Sequence, residues 1–257
     1  MNKPLILLLL ITLAHSHTLP LTSQSTIKAS SAIQIEPIFF EAAKNGDLIQ
    51  LQECLSAGIN PNTTNEENKT ALMYAAEKNH PEAVKLLIAS GADIEACHYR
   101  ATALVYAVHN GNTACVKMLL NAGANVHICL RFNGEQGILH LVRNEDPEIL
   151  RMLIQAGAPL NQTDDGGSTR LGWAASEGNS TFVTILLDAG ANPNCANHSL
   201  FGSGPITPLM NAARKGFVDI IKALLSAKAD INLKDKDGKT ALDYAATEEI
   251  KILLQTT

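Results

Sequence analysis

Aromatic residues are scarce in this 257-residue chain, at 4% against 46% hydrophobic overall. A core short of large rings has to be filled by small and aliphatic side chains, which suits close packing of short helices. Positive charge is in deficit too, with 20 Lys and Arg against 25 Asp and Glu and a formal charge of −5. No domain-length stretch supplies a basic footprint, so nucleic acid is not an expected partner. The chain has no His-Glu-x-x-His, Gly-x-x-x-x-Gly-Lys, Cys-x-x-Cys or Gly-x-Ser-x-Gly. The usual carriers of metal, phosphate, dithiol and acyl-transfer chemistry are therefore missing. No cofactor is expected, and no enzyme.

What is present is repetition. Thr70–Asp93 reads as an opening Thr, an Ala-rich short helix, a polar break, a Leu-rich second helix and a Gly-Ala-Asp stop. Openings recur at Thr102-Ala103-Leu104, Thr169-Arg170-Leu171, Thr207-Pro208-Leu209 and Thr240-Ala241-Leu242, with a degraded copy at Gly137–His140. Closings recur at Gly91-Ala92-Asp93, Gly123-Ala124-Asn125, Gly157-Ala158-Pro159, Gly190-Ala191-Asn192 and Lys228-Ala229-Asp230. Successive openings are 32 residues apart, then 67 over two units, then 38 and 33. A two-helix unit of that period cannot bury its apolar side alone, whereas stacked units can. In the second helix Val84, Leu86, Leu87 and Ile88 make the wide apolar face of an element flanked on two sides. Pro81 fits a first helical turn, and Gly91 fits a left-handed helix stop.

The Thr-x-Leu openings, the pairs Ala75-Ala76, Ala174-Ala175, Ala212-Ala213 and Ala245-Ala246, and the Gly-Ala-Asp/Asn closings resemble the ankyrin repeat over roughly Ile38 to Leu254. The resemblance implies an all-α ankyrin-repeat solenoid of about seven stacked helix-turn-helix units with projecting hairpin loops. The units fall near 38–69, 70–101, 102–136, 137–168, 169–206, 207–239 and 240–257. The first and last depart from the pattern as caps do, because an outer face meets water.

Four places break the repeat. Cys97-His98-Tyr99-Arg100 replaces an Asp-x-x-Gly hairpin, with Arg100 where glycine is common, so the tip is expected to be altered or strained. Unit four has Leu141-Val142 where others have Ala-Ala, and larger residues there need space; loosening and early fraying are expected, not loss of the unit. The longest insertion, Cys195–Ile206, carries Phe201 in a Gly-rich loop, which reads as a surface anchor, as a plug folded back on the groove or as a disordered loop. Lys228 replaces a closing glycine and, if left-handed, costs about 1 kcal/mol.

Residues 1–16 combine a short positive start with the apolar run Leu5–Ala14 and small residues at Ala14 and Ser16. They read as a signal peptide cut near Ser16. An uncleaved anchor is the competing reading, but the run is too short for about 30 Å of hydrocarbon. Residues 17–37 read as a flexible lead-in, and no stable membrane insertion is expected after cleavage. Of five cysteines, Cys54 and Cys115 sit in second helices and read as buried and inert. Cys97 and Cys129 hold matching loop positions, about 8–10 Å apart in a helical stack and so beyond disulfide reach unless the loops give way. Asn-x-Ser/Thr sites at Asn62, Asn68, Asn161, Asn179 and Asn197 bear on a eukaryotic secretory host only.

His80 and His140 occupy repeat positions where a polar ring closes a hydrogen bond. His98 and His109 approach one another near Cys97 in this reading, yet a metal needs three or four converging ligands. Asp164-Asp165 before Gly166-Gly167 reads as a turn.

The resemblance places recognition on the hairpin tips and on the exposed side of each first helix, facing a concave groove. The matching residues are Glu66, Glu67, Lys69, Glu77, Lys78, His98, Tyr99, His109, Asn110, Asp165, Ser168, Ser176, Glu177, Phe201, Arg214, Lys215 and Lys236. Acidic groups dominate early, and Arg214, Lys215 and Lys236 form a basic patch late, a division that can set a partner's direction. Tyr99, Phe132, Trp173 and Phe201 are the aromatic anchor candidates, although Trp173 reads as core before contact. The expected function is a non-catalytic scaffold, monomeric alone, holding another protein in the periplasm or outside the cell. Alternatives are a bacterial effector acting on host proteins and an enzyme with a cryptic site.

Overall fold

The computed structural model describes residues 35–128, 137–143, 146–195, 197–198 and 205–256. The signal-peptide reading, Phe132, Cys129 and Phe201 lie outside the described residues. The described residues fall into two compact bodies, one running to Ala124 and one from Asn125.

Among the described residues the N-terminal body holds three helix pairs. They are α1 (residues 35–45) with α2 (Leu48–Ser56), α3 (Ala71–Glu77) with α4 (Pro81–Ala89), and α5 (Ala103–Asn110) with α6 (Thr113–Asn121). Residues 35–37, expected in the lead-in, are already helical. First helices pack on first helices and second on second, α3 against α5 and α2 and α6 against α4. The small pair Ala75-Ala76 is fully buried, and so are Val84, Leu87, Val116 and Leu119 in the outer row.

In the C-terminal body the first described element is a 3-10 turn, Ile138–Leu141. The body continues through α7 (Pro147–Gln155), α8 (Arg170–Glu177), α9 (Ser180–Asp188), α10 (Pro208–Lys215), α11 (Val218–Ser226) and α12 (Glu248–Gln255). A two-residue ladder, β1 (Asn197–His198) on β2 (Pro205–Ile206), closes the base of the insertion before α10. The architecture is an all-α ankyrin-type stack of helix-turn-helix units. Among the described residues no helix is long and apolar enough to cross a membrane.

The opening threonines Thr70, Thr102, Thr169 and Thr207 are helix N-caps. Oγ1 of Thr70, Thr169 and Thr207 accepts the backbone N–H of Met73, Gly172 and Met210 at 3.3, 3.1 and 3.2 Å, satisfying a donor that the first turn leaves unpaired. The closings are left-handed stops. At Gly91 (φ +88°) the N–H groups of Gly91 and Ala92 return to Ile88 and Leu87, both at 3.0 Å. A Cβ there would meet nothing within 4 Å, so backbone conformation alone selects the glycine. Lys228 keeps the same geometry at φ 62°, with bonds of 2.9 Å from Lys228 and Ala229 to Leu225 and Leu224.

Neighbouring units are also tied by hydrogen bonds. Asn62 accepts from the Asp93 N–H at 2.7 Å and donates to the Gly91 carbonyl at 3.2 Å. Asn161 and Asn194 accept from the N–H of Asn192 and Asp230. The Asn112 amide donates to the carbonyls of Ala76 and Glu77 at 2.7 and 3.0 Å, closing the end of the preceding first helix. His80 and His140 close their bonds across units, ring Nε2 to the carbonyls of Lys44 and Ser168, both at 3.0 Å. Several Asn-x-Ser/Thr sites thus have structural duties: Asn62 and Asn161 in these ties, Asn179 as the α9 cap accepting from Phe182, and Asn68 in a left-handed turn at φ 60°.

Unit four is present, but its first helix is reduced to the 3-10 turn. Leu141-Val142 replaces the small pair, and Val142 leaves the turn in extended conformation, φ −67° and ψ 126°. Arg170 makes good the loss. It is buried at 6% exposure, donates from Nη2 to the Val142 carbonyl at 2.8 Å, and lies over the Phe182 ring at 4.9 Å. Unit seven loses its first helix to turns over 241–244, and the Ala246 N–H bonds the Ala213 carbonyl at 3.1 Å instead.

Candidate functional site

The hairpins carry most of the candidate residues, and one device positions three of them. Oδ1 of Asn65, Asp164 and Asp235 accepts the N–H groups two and four residues on: Glu67 and Lys69, Gly166 and Ser168, Asp237 and Lys239. The residue three on is left-handed in each, Asn68 at 60°, Gly167 at 70° and Gly238 at 75°. The other atom of each Asx side chain bonds an aromatic residue nine positions later. Asn65 Nδ2 donates to the Tyr74 hydroxyl at 2.9 Å, Trp173 Nε1 donates to Asp164, and the Tyr244 hydroxyl donates to Asp235. One side chain therefore folds the turn and fixes it to the first helix. The Tyr244 hydroxyl, first among its causes, holds the Asp235 carboxyl below its ordinary range.

Unit three is the exception, because Cys97 stands at the Asx position. The hairpin closes one residue tighter, His98 and Ala101 exchanging both backbone bonds at 3.0 and 2.9 Å. Tyr99 and Arg100 take φ of 48° and 67°, the two-residue turn that asparagine and glycine normally occupy. The expected alteration of this tip is thus a change of turn type. His98 Nδ1 meets the Tyr106 hydroxyl at 2.7 Å, a substitute for the missing Asx lock, and Tyr99 rests edge-on against His98 at 4.4 Å. Tyr99 itself is 89% exposed.

Between the hairpins of units two and three lies a filled cation slot. Lys69 Nζ is 2.8 Å from Glu77, 5.0 Å from the Tyr74 ring centroid and 4.4 Å from that of Tyr106. Burial alone would pull the Lys69 ammonium down, but Glu77 and the two tyrosines outweigh it and its pKa is raised. Burial, the largest cause, raises both tyrosines. Glu67 accepts from the Tyr74 hydroxyl at 2.9 Å. The early acidic run is therefore partly committed within the molecule, Glu77 to Lys69 and Glu67 to Tyr74, while Glu66 and the cation Lys78 are exposed. Asn110 is turned inward, donating to the Tyr106 carbonyl at 2.8 Å, while His109 is exposed.

In the C-terminal body Ser168 is a hairpin residue, its N–H on Asp164 and its carbonyl on His140. Ser176 donates to the Trp173 carbonyl at 2.9 Å. Asp165, Glu177, Lys215 and Lys236 are exposed, and exposed Arg214 bonds Asn211 at 2.9 Å. Trp173 corrects the sequence reading: it is 37% exposed, because its indole N–H is drawn out to Asp164 and not into the core.

Cys54 and Cys115 are fully buried, and burial raises each thiol to about 11. Cys97 is an exposed free thiol. Among the described residues no group of three or more His, Cys, Asp or Glu is placed to hold a metal ion. Asn65, Asp235, Tyr244 and Arg170 were not singled out from sequence. The nine-residue spacing Asn65–Tyr74, Asp164–Trp173 and Asp235–Tyr244 carried the signal for the locks.

A family model described as ankyrin repeats (3 copies) matches residues 39–129, 125–197 and 197–256. An ankyrin repeat protein of Fowlpox virus (strain NVSL) is 30% identical over 185 residues, 70% of this chain and 44% of its own length. The chain spans less than half the length of the first curated relatives it matches. An ankyrin repeat domain from Acinetobacter baumannii AYE superposes with a TM-score of 0.67 at 32% identity, covering 75% of this chain and 98% of that one. A chain from the complex of a predatory endopeptidase of Bdellovibrio bacteriovorus with an immunity protein does so at 0.62 and 26%, covering 74% and 97%. With a capped helix pair, a left-handed stop and a locked hairpin recurring along the array, the chain belongs to the ankyrin-repeat family, a non-catalytic fold of protein-interaction scaffolds.

Proposed function

We propose that this chain is an exported scaffold that holds another protein on its hairpin-and-first-helix face, in the periplasm or outside the cell. The observation that carries the reading is the set of locked hairpins. Three spend a buried or half-buried Asx side chain on fixing the tip while leaving Glu66, Asp165 and Lys236 in water, and the hairpin held by His98 and Tyr106 does the same for Tyr99. Rigid, polar, aromatic-bearing loops on a stiff stack are what a binding surface needs, since little ordering entropy remains to be lost on docking. Supporting export are the short positive start and apolar run of residues 2–16. The similarity to a chain from a complex between two proteins agrees with a protein ligand.

The test is crosslinking in the native cell, followed by recovery of the chain from periplasmic and culture-medium fractions. One stoichiometric envelope or secreted partner, lost on reversing Arg214, Lys215 and Lys236 together, is the expected result. Recovery only from the cytoplasm would overturn export. Unchanged binding after the triple reversal would remove that patch from the interface.

A further inference from the structure

Unit three differs from its neighbours in charge as well as in turn type. Ala96–Gly134 contains no Asp or Glu at all, although the chain has 25. Among the described units it is the one whose hairpin and both helices lack a carboxylate. Unit two is the opposite, with Glu66 and Glu67 in its hairpin and Glu77 at the place in α3 that His109 takes in α5.

What unit three offers instead is donors. Arg100 and Tyr99 form the exposed tip. His98 lies beneath Tyr99, joined to the Tyr106 hydroxyl. His109 is three residues beyond Tyr106 in α5 and therefore on the same helix face. An imidazole donates a hydrogen bond in either protonation state, a phenol donates one, and a guanidinium carries five N–H groups. Of the carboxylates nearby, Glu77 is paired with Lys69 at 2.8 Å and Glu67 accepts from the Tyr74 hydroxyl at 2.9 Å. The Lys69 ammonium offsets the Glu77 charge, so that carboxylate adds little repulsion toward an anion at the tip.

The geometry points to unit three as a docking station for an acidic segment of a partner protein. In it Tyr99 is the anchor and Arg100, His98 and His109 receive the carboxylates. This rests on the reading of the hairpin face as a protein-binding surface and adds the chemistry of what binds there. Arg and Tyr are among the residues that dominate interface energies. Here the two are presented side by side on a tight turn closed by His98 and Ala101. An acidic peptide fits this station better than nucleic acid does, because Arg100 is the one fixed cation of the tip and no run of Lys and Arg is there to follow a phosphate backbone.

The test uses the full chain and three fluorescein-labelled peptides of equal length, one Glu-rich with a single Leu, one Lys-rich and one uncharged, read by anisotropy. The Glu-rich peptide should bind, weaken as salt rises, and lose at least about tenfold in affinity on Arg100→Glu or Tyr99→Ala. Lys117→Glu, the same charge change on α6, should leave affinity within about twofold. Circular dichroism of each variant confirms that the array still folds.

No binding of the Glu-rich peptide overturns the proposal. So does binding that Arg100→Glu leaves intact, or tighter binding of a single-stranded oligonucleotide. Crosslinking to a partner that persists in Arg100→Glu separates the two failures, for it leaves the scaffold reading standing without this station.

Discussion

Units three and four both break the repeat, with opposite consequences. In unit three the break is at the hairpin tip, where Cys97 replaces an Asx residue, and α5 behind it stays intact with Ala103, Leu104, Ala107 and Val108 buried. In unit four the break is in the packed row, where Leu141-Val142 replaces a small pair, and the helix shrinks to one turn. A tip can exchange one turn for another at the cost of local strain. A packed row cannot admit larger residues without giving up backbone hydrogen bonds, and the lost partner has to be supplied from elsewhere. Arg170 supplies it across the unit boundary.

The comparison is broken most directly at Arg170. Arg170→Ala removes the donor to the Val142 carbonyl and the packing over Phe182, and should cost roughly 2–4 kcal/mol. Arg170→Met keeps the stem over Phe182 and should recover part of that loss. Urea unfolding followed by Trp173 fluorescence reads the stability, and hydrogen exchange should show 138–143 opening first. If Arg170→Ala proved neutral, unit four would be stable without its neighbour and the contrast with unit three would fail.

The hairpin locks come next. Asp164→Ala removes the acceptor for Gly166, Ser168 and Trp173 together, and about 1–2 kcal/mol should go with it. Cys97→Ala, at the same place in unit three, should be nearly neutral, because that hairpin closes through His98 and Ala101. The pair Cys97→Asn with Arg100→Gly would restore the Asx-turn sequence and should stabilise by about 1 kcal/mol. Destabilisation by that pair, measured in the same urea assay, would mean that the tight turn is the better fit to α5.

How much of this was legible in the sequence depended on whether a feature is written within one repeat. Thr70, Gly91 and the Ala75-Ala76 pair act within their own units, so cap, stop and small-residue contact could be read directly. The strain at Arg100 and Lys228 was legible for the same reason, since each stands where a left-handed residue is required. Arg170 was not, because its partner is a carbonyl 28 positions earlier that is orphaned only when the preceding helix fails. Trp173 misled, because its hydrophobicity says core while the acceptor that draws it outward, Asp164, sits nine residues away in the hairpin. The locks were written in the sequence as a spacing between a turn residue and a helix residue, and neither element shows it alone.

Acid offers a third way to separate the units. Burial, the largest cause, lowers the His140 pKa, and the Ser168 carbonyl and Asp164 offset this only in part. Arg170 adds to the lowering. A half-buried histidine with a depressed pKa stays neutral in the fold while the unfolded chain takes up a proton below about pH 6.5. Stability should therefore be complete above that pH and decline as pH falls below it, with the C-terminal body weakening first. His140→Gln should flatten the decline between pH 7 and the folded pKa. A parallel loss in wild type and variant would assign the acid response to other groups.

The smallest expected effect is at Lys228, and it tests the cost of a misplaced side chain without any change of packing. Lys228 makes both closing bonds that Gly91 makes, at lengths of 2.9 Å against 3.0 Å. The equivalent glycines have open space where a Cβ would be. Only the left-handed backbone distinguishes the two residues there, and glycine gains from it while losing more entropy on folding. Lys228→Gly should stabilise by up to about 1 kcal/mol, and Lys228→Asn by somewhat less. If Lys228→Gly destabilised, the lysine would be holding something its backbone does not show. A strained residue in a closing would then belong with the tip of unit three, as a surface feature kept for contact, and not with the tolerated errors of a long array.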